Sequence, residues 1–456
     1  MESEIMTREN VRPSSPTPHN LQTYKLSMLD QIVPSMLVPL VFYFPNPKKT
    51  TDSEYLLSAT TEKLKRSLSM VLTRFYPLAG RVNDDGQSIN CNDQGVPFTV
   101  VKFGGLKLSD HILCKKPDEK LPRHLLPCGI AWEAEQCPES SVALIQISYF
   151  ECGGIAIGLV FWHKVVDATA MGYFVTSWAY TTCGDSRRAV CPNYIAQNVF
   201  PHKSEMQSKT SSLAAILKTG KSIMRRYVFD APSISKLKSI SAVDRPTRVE
   251  VVSALIWKCF MTASLANGYS ASVLTHAVNL RRRAEPPFPT ECFGNFPGLA
   301  ATSARNGSSF GLGHLVREMR DAIRKIDGGF VNRLHGDEGL RGYHENLRLT
   351  WSEIPENADL LSISSWCGFG LYGSDFGFGK PVWLTRCDTG CDSGSRFINV
   401  VWLMDTRDGD GIEAWVTLDE KYMSVFEDDE DLGALALFDP SPVGDIPVEP
   451  ISFATH

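Results

Sequence analysis

The sequence predicts an α/β protein built from two units. Three observations carry that reading. The chain has 456 residues, and single hydrophobic cores stop growing near ~250–300 residues. Strand-like and helix-like apolar runs are interleaved in both halves. Between the halves, residues 184–222 are polar, with scattered Pro and Lys and weak periodicity, which marks a linker. The expected division is a lead-in over 1–20, a first unit over 21–183, a crossover over 184–222 and a second unit over 223–456.

The elements follow in chain order. Residues 1–20 are rich in Pro, Ser and Thr and read as extended. Leu37 to Phe44 is a strand. Thr61 to Phe75 is helical, because Leu64, Leu68, Val71 and Leu72 share one face, and Pro77 stops it. Val142 to Phe150 and Ile155 to Trp162 are strands joined by Glu151-Cys152-Gly153-Gly154, a hairpin signal. Thr169 to Tyr180 is a helix, with Phe174 and Trp178 four apart. Arg226 to Phe229 begins the second unit as a strand. Helices then follow at Ser233 to Ser239 and Thr247 to Ala263. Ala271 to Leu280 is a strand and Leu312 to Ile326 a helix. Residues 396–405 and 411–418 form a hairpin, and Glu420 to Phe426 is helical. No short repeat is present.

Composition narrows the function. Hydrophobic residues make up 43% and charged residues 21%, an ordinary globular balance. A net charge of −5 without a basic run argues against nucleic acid. No continuous apolar stretch reaches the roughly 18 residues of a membrane span. Met1-Glu2-Ser3-Glu4 lacks a signal-peptide pattern, so a cytoplasmic location is expected. The 12 cysteines are scattered. Cys152, Cys259, Cys292 and Cys367 lie in apolar contexts and read as buried thiols. Cys387 and Cys391 share a loop, but no second pair with zinc-like spacing accompanies them, so no metal site is expected.

The chemistry concentrates in His163-Lys164-Val165-Val166-Asp167. The string puts an imidazole at a strand end, where it can serve as general base at neutral pH. The bland alternative is a buried histidine bonded to a carbonyl. Asp167 either pairs with the imidazole or holds the turn through an arginine. Arg281, in Asn279-Leu280-Arg281-Arg282-Arg283, reads as a solvated basic turn, an ion-pair partner of Asp167 or a contact for an anionic ligand. Ser364, in Ser364-Ser365-Trp366, is a candidate oxyanion donor. Asp375-Phe376-Gly377-Phe378-Gly379-Lys380-Pro381 is turn chemistry, with Asp375 placed to cap it. Neither a nucleophile elbow nor a phosphate loop is present.

In combination, the His163 and Asp375 strings resemble the plant BAHD acyltransferases. Phe75-Tyr76-Pro77-Leu78-Ala79-Gly80-Arg81, Asn279-Leu280-Arg281, Phe293-Gly294-Asn295 and Ser364-Ser365-Trp366 follow in that family's order and span nearly the whole chain. Pro13 to Pro18, Cys91-Asn92-Asp93, Phe150 to Gly154 and Leu403 to Arg407 are similar to its alkaloid-acetylating branch. The resemblance implies two chloramphenicol-acetyltransferase-like α/β domains, a long crossover and an active-site channel at their interface. It implies His163 as catalytic base, with Asp167 turned away from substrate toward Arg281. It also implies Asp375, Gly377 and Gly379 as a structural turn remote from the base, and Ser364 as a hydroxyl that steadies the tetrahedral intermediate. The expected cosubstrate is acetyl-CoA, with no bound cofactor. The expected partners are that acyl-CoA and a small-molecule alcohol such as an alkaloid, acting on a monomer. A larger or charged acyl donor is the alternative within enzymes. A non-catalytic metabolite-binding member of the fold is the alternative outside them. Phe378 replaces the family's usual tryptophan and Ala168 a frequent glycine.

Overall fold

Three apolar runs form the centre of the first half. Leu37–Phe44, Ala143–Phe150 and Ile155–Trp162 are strands whose residues are buried throughout. Strands covered on both faces read as continuous hydrophobic runs, not alternations. The computed structural model describes residues 2–45, 54–113, 121–127, 140–206, 217–307, 310–352, 354–387 and 395–442.

The first sheet has six strands, ordered Glu2–Val11, Val96–Gly104, Ala143–Phe150, Ile155–Trp162, Leu37–Phe44 and Trp383–Thr385. Its outermost strand, Glu2–Val11, falls in the expected lead-in. It is extended, but it pairs antiparallel with Val96–Gly104. Helices Glu54–Arg74 and Ala168–Thr182 pack together over this half. The Trp178 indole N–H fixes their contact, donating to Leu64 O and Ser67 Oγ at 3.1 Å each.

The second sheet has seven strands, ordered Pro297–Arg305, Ala271–Asn279, Ala358–Ser365, Val400–Asp405, Ile412–Asp419, Ser222–Phe229 and Leu437–Phe438. Helix Arg248–Ala266 lies at the heart of its core, against Ala231–Ser241, Leu312–Arg324 and Glu420–Glu427. Thr247 and Glu250 start it with a capping box. By length and composition this helix could cross a membrane, with mean hydropathy 1.5. It contains no continuous apolar run, because Ser253, Lys258 and Thr262 interrupt the stretch. Its apolar residues are mostly packed inside the second core.

Two features depart from the expected division. The crossover is more than a tether. Phe200 is fully buried in a third apolar cluster with Met28, Leu280 and Phe296, which come from both halves. Asn193 exchanges backbone bonds with Glu291 O and Phe293 N. The second departure is Trp383–Thr385. It lies far into the expected second unit, yet it completes the first sheet by pairing with Val41, Phe42 and Tyr43. Side chains reinforce this pairing: the Tyr43 ring stacks on Trp383, and the Tyr43 and Thr385 hydroxyls are 3.0 Å apart.

Among the cysteines, Cys259 and Cys292 are buried, whereas Cys152 and Cys367 are only half-buried, since each sits at a strand end or turn. Cys387 is buried. Cys391 lies outside the described residues.

Candidate active site

His163 stands one residue past Ile155–Trp162, and its main chain is held from both directions. Its N–H donates to Met36 O at 2.9 Å. Its carbonyl accepts from Asn295 Nδ2 at 2.8 Å. The next residue, Lys164, is buried and donates to Gln31 O at 2.7 Å. Burial pushes the Lys164 ammonium down to about 8, against the opposing charge of Asp30. The sharp turn is therefore anchored on residues 31–36 and on the loop around Asn295.

Asp167 begins the next helix. It caps Ala168–Thr182 by accepting from Ala170 N at 2.9 Å. Its carboxylate meets Arg281 as a fork, Nη1 to Oδ2 at 2.6 Å and Nη2 to Oδ1 at 3.2 Å. Phe296 N donates to Oδ2 at 3.2 Å. Arg281 is itself 1% exposed, with further bonds to the carbonyls of Cys292 and Gly294. Its guanidinium lies 4.3 Å from the Phe296 ring centre. A buried arginine needs this degree of satisfaction. Asp167 thus points across the molecule toward the second half.

Asn295 links the two anchors. Its Nδ2 also donates to Asp30 Oδ1 at 2.9 Å, and its backbone N–H donates to the same oxygen at 2.7 Å. Burial raises the Asp30 carboxyl to about 6, against the hydrogen bonds from Asn295 and Ser27. In the sequence, Phe293-Gly294-Asn295 stands out only as a landmark. The role of Asn295 in holding the His163 carbonyl becomes visible only in three dimensions.

These residues open onto a cavity of about 320 Å³ between the halves. His163, Val166 and Met36 line it from the first half, and Val278, Ser364, Trp366 and Trp402 from the second. Its wall is mainly apolar. The imidazole Nδ1 is shut off from solvent, and the residue lines the cavity. Burial holds the imidazole below its ordinary range. Nearby carbonyls and Asp167 oppose that shift, and Arg386 adds to it. A neutral imidazole in an apolar cavity can take a proton from a hydroxyl.

Ser364 and Ser365 end the strand Ala358–Ser365 on the cavity wall. Arg386 lies on the same wall, layered between the Trp366 and Trp402 rings at 4.6 and 4.0 Å from their centres. Nothing in the sequence marks it, since a lone arginine after a short apolar run carries no signal. The Asp375 turn is not part of the cavity. Asp375 Oδ1 accepts from Gly377 N at 2.7 Å and Gly379 N at 3.0 Å. Both glycines adopt positive φ, 91° and 103°. The turn presents Phe376 edge-on to Trp178 at 4.8 Å and Phe378 edge-on to Phe44 at 4.9 Å.

The model of the Transferase family matches residues 1–432. The chain belongs to the BAHD acyltransferase family. An epi-neemfruitin B 7-O-acetyltransferase of Melia azedarach is 36% identical to this BAHD chain, covering 97% of it and 100% of the relative. The stemmadenine O-acetyltransferase of Catharanthus roseus is also 36% identical, covering 93% and 96%. Among solved structures, vinorine synthase superposes with a TM-score of 0.81 at 30% identity, over 97% of this chain and 100% of its own. The two-layered halves described above are thus the BAHD acyltransferase fold.

Proposed function

We propose that this enzyme moves an acetyl group from acetyl-CoA to a hydroxyl of a plant specialised metabolite, with His163 as general base. The observation that carries the reading is a half-buried imidazole at a strand end, facing a mainly apolar cavity between the halves that favours its neutral form. Relatives named as O-acetyltransferases, of stemmadenine at 36% identity and of limonoids at 35%, support the acetyl donor and an alkaloid or limonoid acceptor.

The chemistry is direct transfer. His163 takes the hydroxyl proton as the oxygen attacks the thioester carbonyl. The C–O bond forms and the carbonyl electrons move onto oxygen. The Ser364 hydroxyl donates to that oxyanion. Collapse breaks the C–S bond, and the departing CoA thiolate takes the proton back from His163. Asp167 does not relay the proton, because Arg281 occupies its carboxylate. Its work is to fix the turn that carries the base.

Arg386 favours a second reading, an acyl donor with a terminal carboxylate such as malonyl-CoA, because a buried cation on the cavity wall suits an anion. One assay tests both. The protein is incubated with acetyl-CoA or malonyl-CoA and a panel of alkaloid and limonoid alcohols, and CoA release and acylated product are measured. Faster turnover with acetyl-CoA supports the first reading. His163→Ala is expected to lower turnover by about 10²–10⁴-fold. Equal product from that variant and the native protein would remove His163 from the mechanism.

A further inference from the structure

Helix Gly339–Ser352 differs from the other long helices: of its 14 residues, Gly339 alone is buried. It is not a core helix. Its inner stripe, Tyr343, Asn346, Leu347 and Thr350, lines the cavity that holds His163. Spacings of three, four and seven put these residues on one face. The outer face is charged, with Glu345 and Arg348 exposed and paired at 2.8 Å. The helix therefore covers the cavity, while Leu340 and Tyr343 also pack on the third apolar cluster.

One atom on the inner stripe stands out. Asn346 Nδ2 is shut off from solvent and makes no hydrogen bond among the described residues. An enclosed donor left unpaired is costly, and native structures rarely keep one without a reason. The cavity wall as a whole is mainly apolar, with Val33, Leu334 and Leu347 among its members. A ligand that fills the cavity can supply the missing acceptor.

We infer that Asn346 is a specificity-determining residue for the alcohol, donating through Nδ2 to a carbonyl or ether oxygen remote from the hydroxyl that reacts at His163. The acceptor class is then an oxygenated polycycle with two polar points, one read by the base and one by the helix. The inference rests on the proposed acetyl transfer for treating the cavity ligand as the acceptor. A site built to hydrogen-bond a group discriminates against the analogue lacking it more strongly than an apolar wall can.

The test compares native protein and Asn346→Leu, which keeps the side chain's heavy-atom skeleton and removes the donor. The probes are a limonoid ring alcohol that carries a ring ketone and the same alcohol with the ketone removed. KM is measured by CoA release, and binding of each alcohol by calorimetry. Asn346→Leu is expected to weaken the ketone-bearing alcohol about tenfold. The deoxo alcohol is expected to change less than about twofold, and the KM for acetyl-CoA to stay unchanged. Equal changes for both alcohols, or binding of neither to the native protein, overturn the inference. If both bind but no CoA is released, the proposed acetyl transfer fails, while calorimetry still decides the role of Asn346.

Discussion

His163 illustrates how the surroundings of an imidazole tune its proton affinity. Burial lowers its proton affinity, and the positive charge of Arg386 lowers it further. A depressed pKa keeps the imidazole unprotonated to lower pH. The activity profile should therefore be flat through neutrality and fall only below about 6.5, the ordinary histidine value. In Arg386→Gln one depressing charge is gone, so the acidic midpoint should move up. Measuring kcat/KM against pH for both proteins checks the direction; a midpoint above 6.5 in the native enzyme would contradict it. At this scale the sequence shows part of the site. His163 and Asp167 sit in one short string and are visible as chemistry. Asp167 and Arg281 are 114 residues apart, and spacing alone cannot join them. The sequence offers that pair as one of several readings of Arg281, and the family resemblance selects it. Asn295 shows only as part of a landmark string and Arg386 not at all, because their importance comes from what packs around them.

Among the elements, helix Gly339–Ser352 owes its position to close backbone contact at one end. A Cβ on Gly342 would lie 2.1 Å from Arg333 O, and one on Gly339 would lie 2.1 Å from Leu334 O. Both glycines let the first turns of the helix press on the preceding segment while the rest spans the cavity. Gly342→Ala should tilt the helix off that segment. Overpacking of this kind costs about 1–3 kcal/mol. A lower melting temperature and a several-fold higher KM for the alcohol are expected, with the KM for acetyl-CoA little changed. Scanning calorimetry and steady-state kinetics measure these together. The same helix shows why some elements are hidden in the sequence. Its inner stripe faces a void, so it lacks the dense apolar face of a core helix. Strand Glu2–Val11 is exposed except at Val11, so nothing in its composition marks pairing. Strand Pro297–Arg305 is rich in small residues and sits at the open edge of its sheet. The runs that read clearly, Leu37–Phe44 and Ile155–Trp162, are those buried on both faces.

For the molecule as a whole, the halves are locked by aromatic contacts as well as by the Asp167–Arg281 fork. Phe376 is 1% exposed and packs on Trp178 and Phe44, which belong to the first half. Phe376→Ala should cost about 3–5 kcal/mol, with a matching drop in the denaturant midpoint for loss of the fluorescence of Trp178 and its neighbours. A midpoint unchanged within error would mean that the turn is not holding the halves. Phe378 meets Phe44 through its ring face and edge, a contact that does not require an indole N–H. This is why phenylalanine can occupy a position where the family usually has tryptophan. The two-unit plan is visible in the alternation of runs, but the exchange of Trp383–Thr385 is not. Three residues carry no periodicity, and their destination is set by an edge some 340 residues earlier.

That short strand also governs where the chain can be cut. A fragment ending at the crossover would expose the backbone edge of Val41–Tyr43, inviting pairing with another chain. The complementary fragment would carry Trp383–Thr385 with no sheet to join. Each piece lacks what the other holds. Split halves should reassemble by strand addition, and neither should be expected to behave as an independent domain.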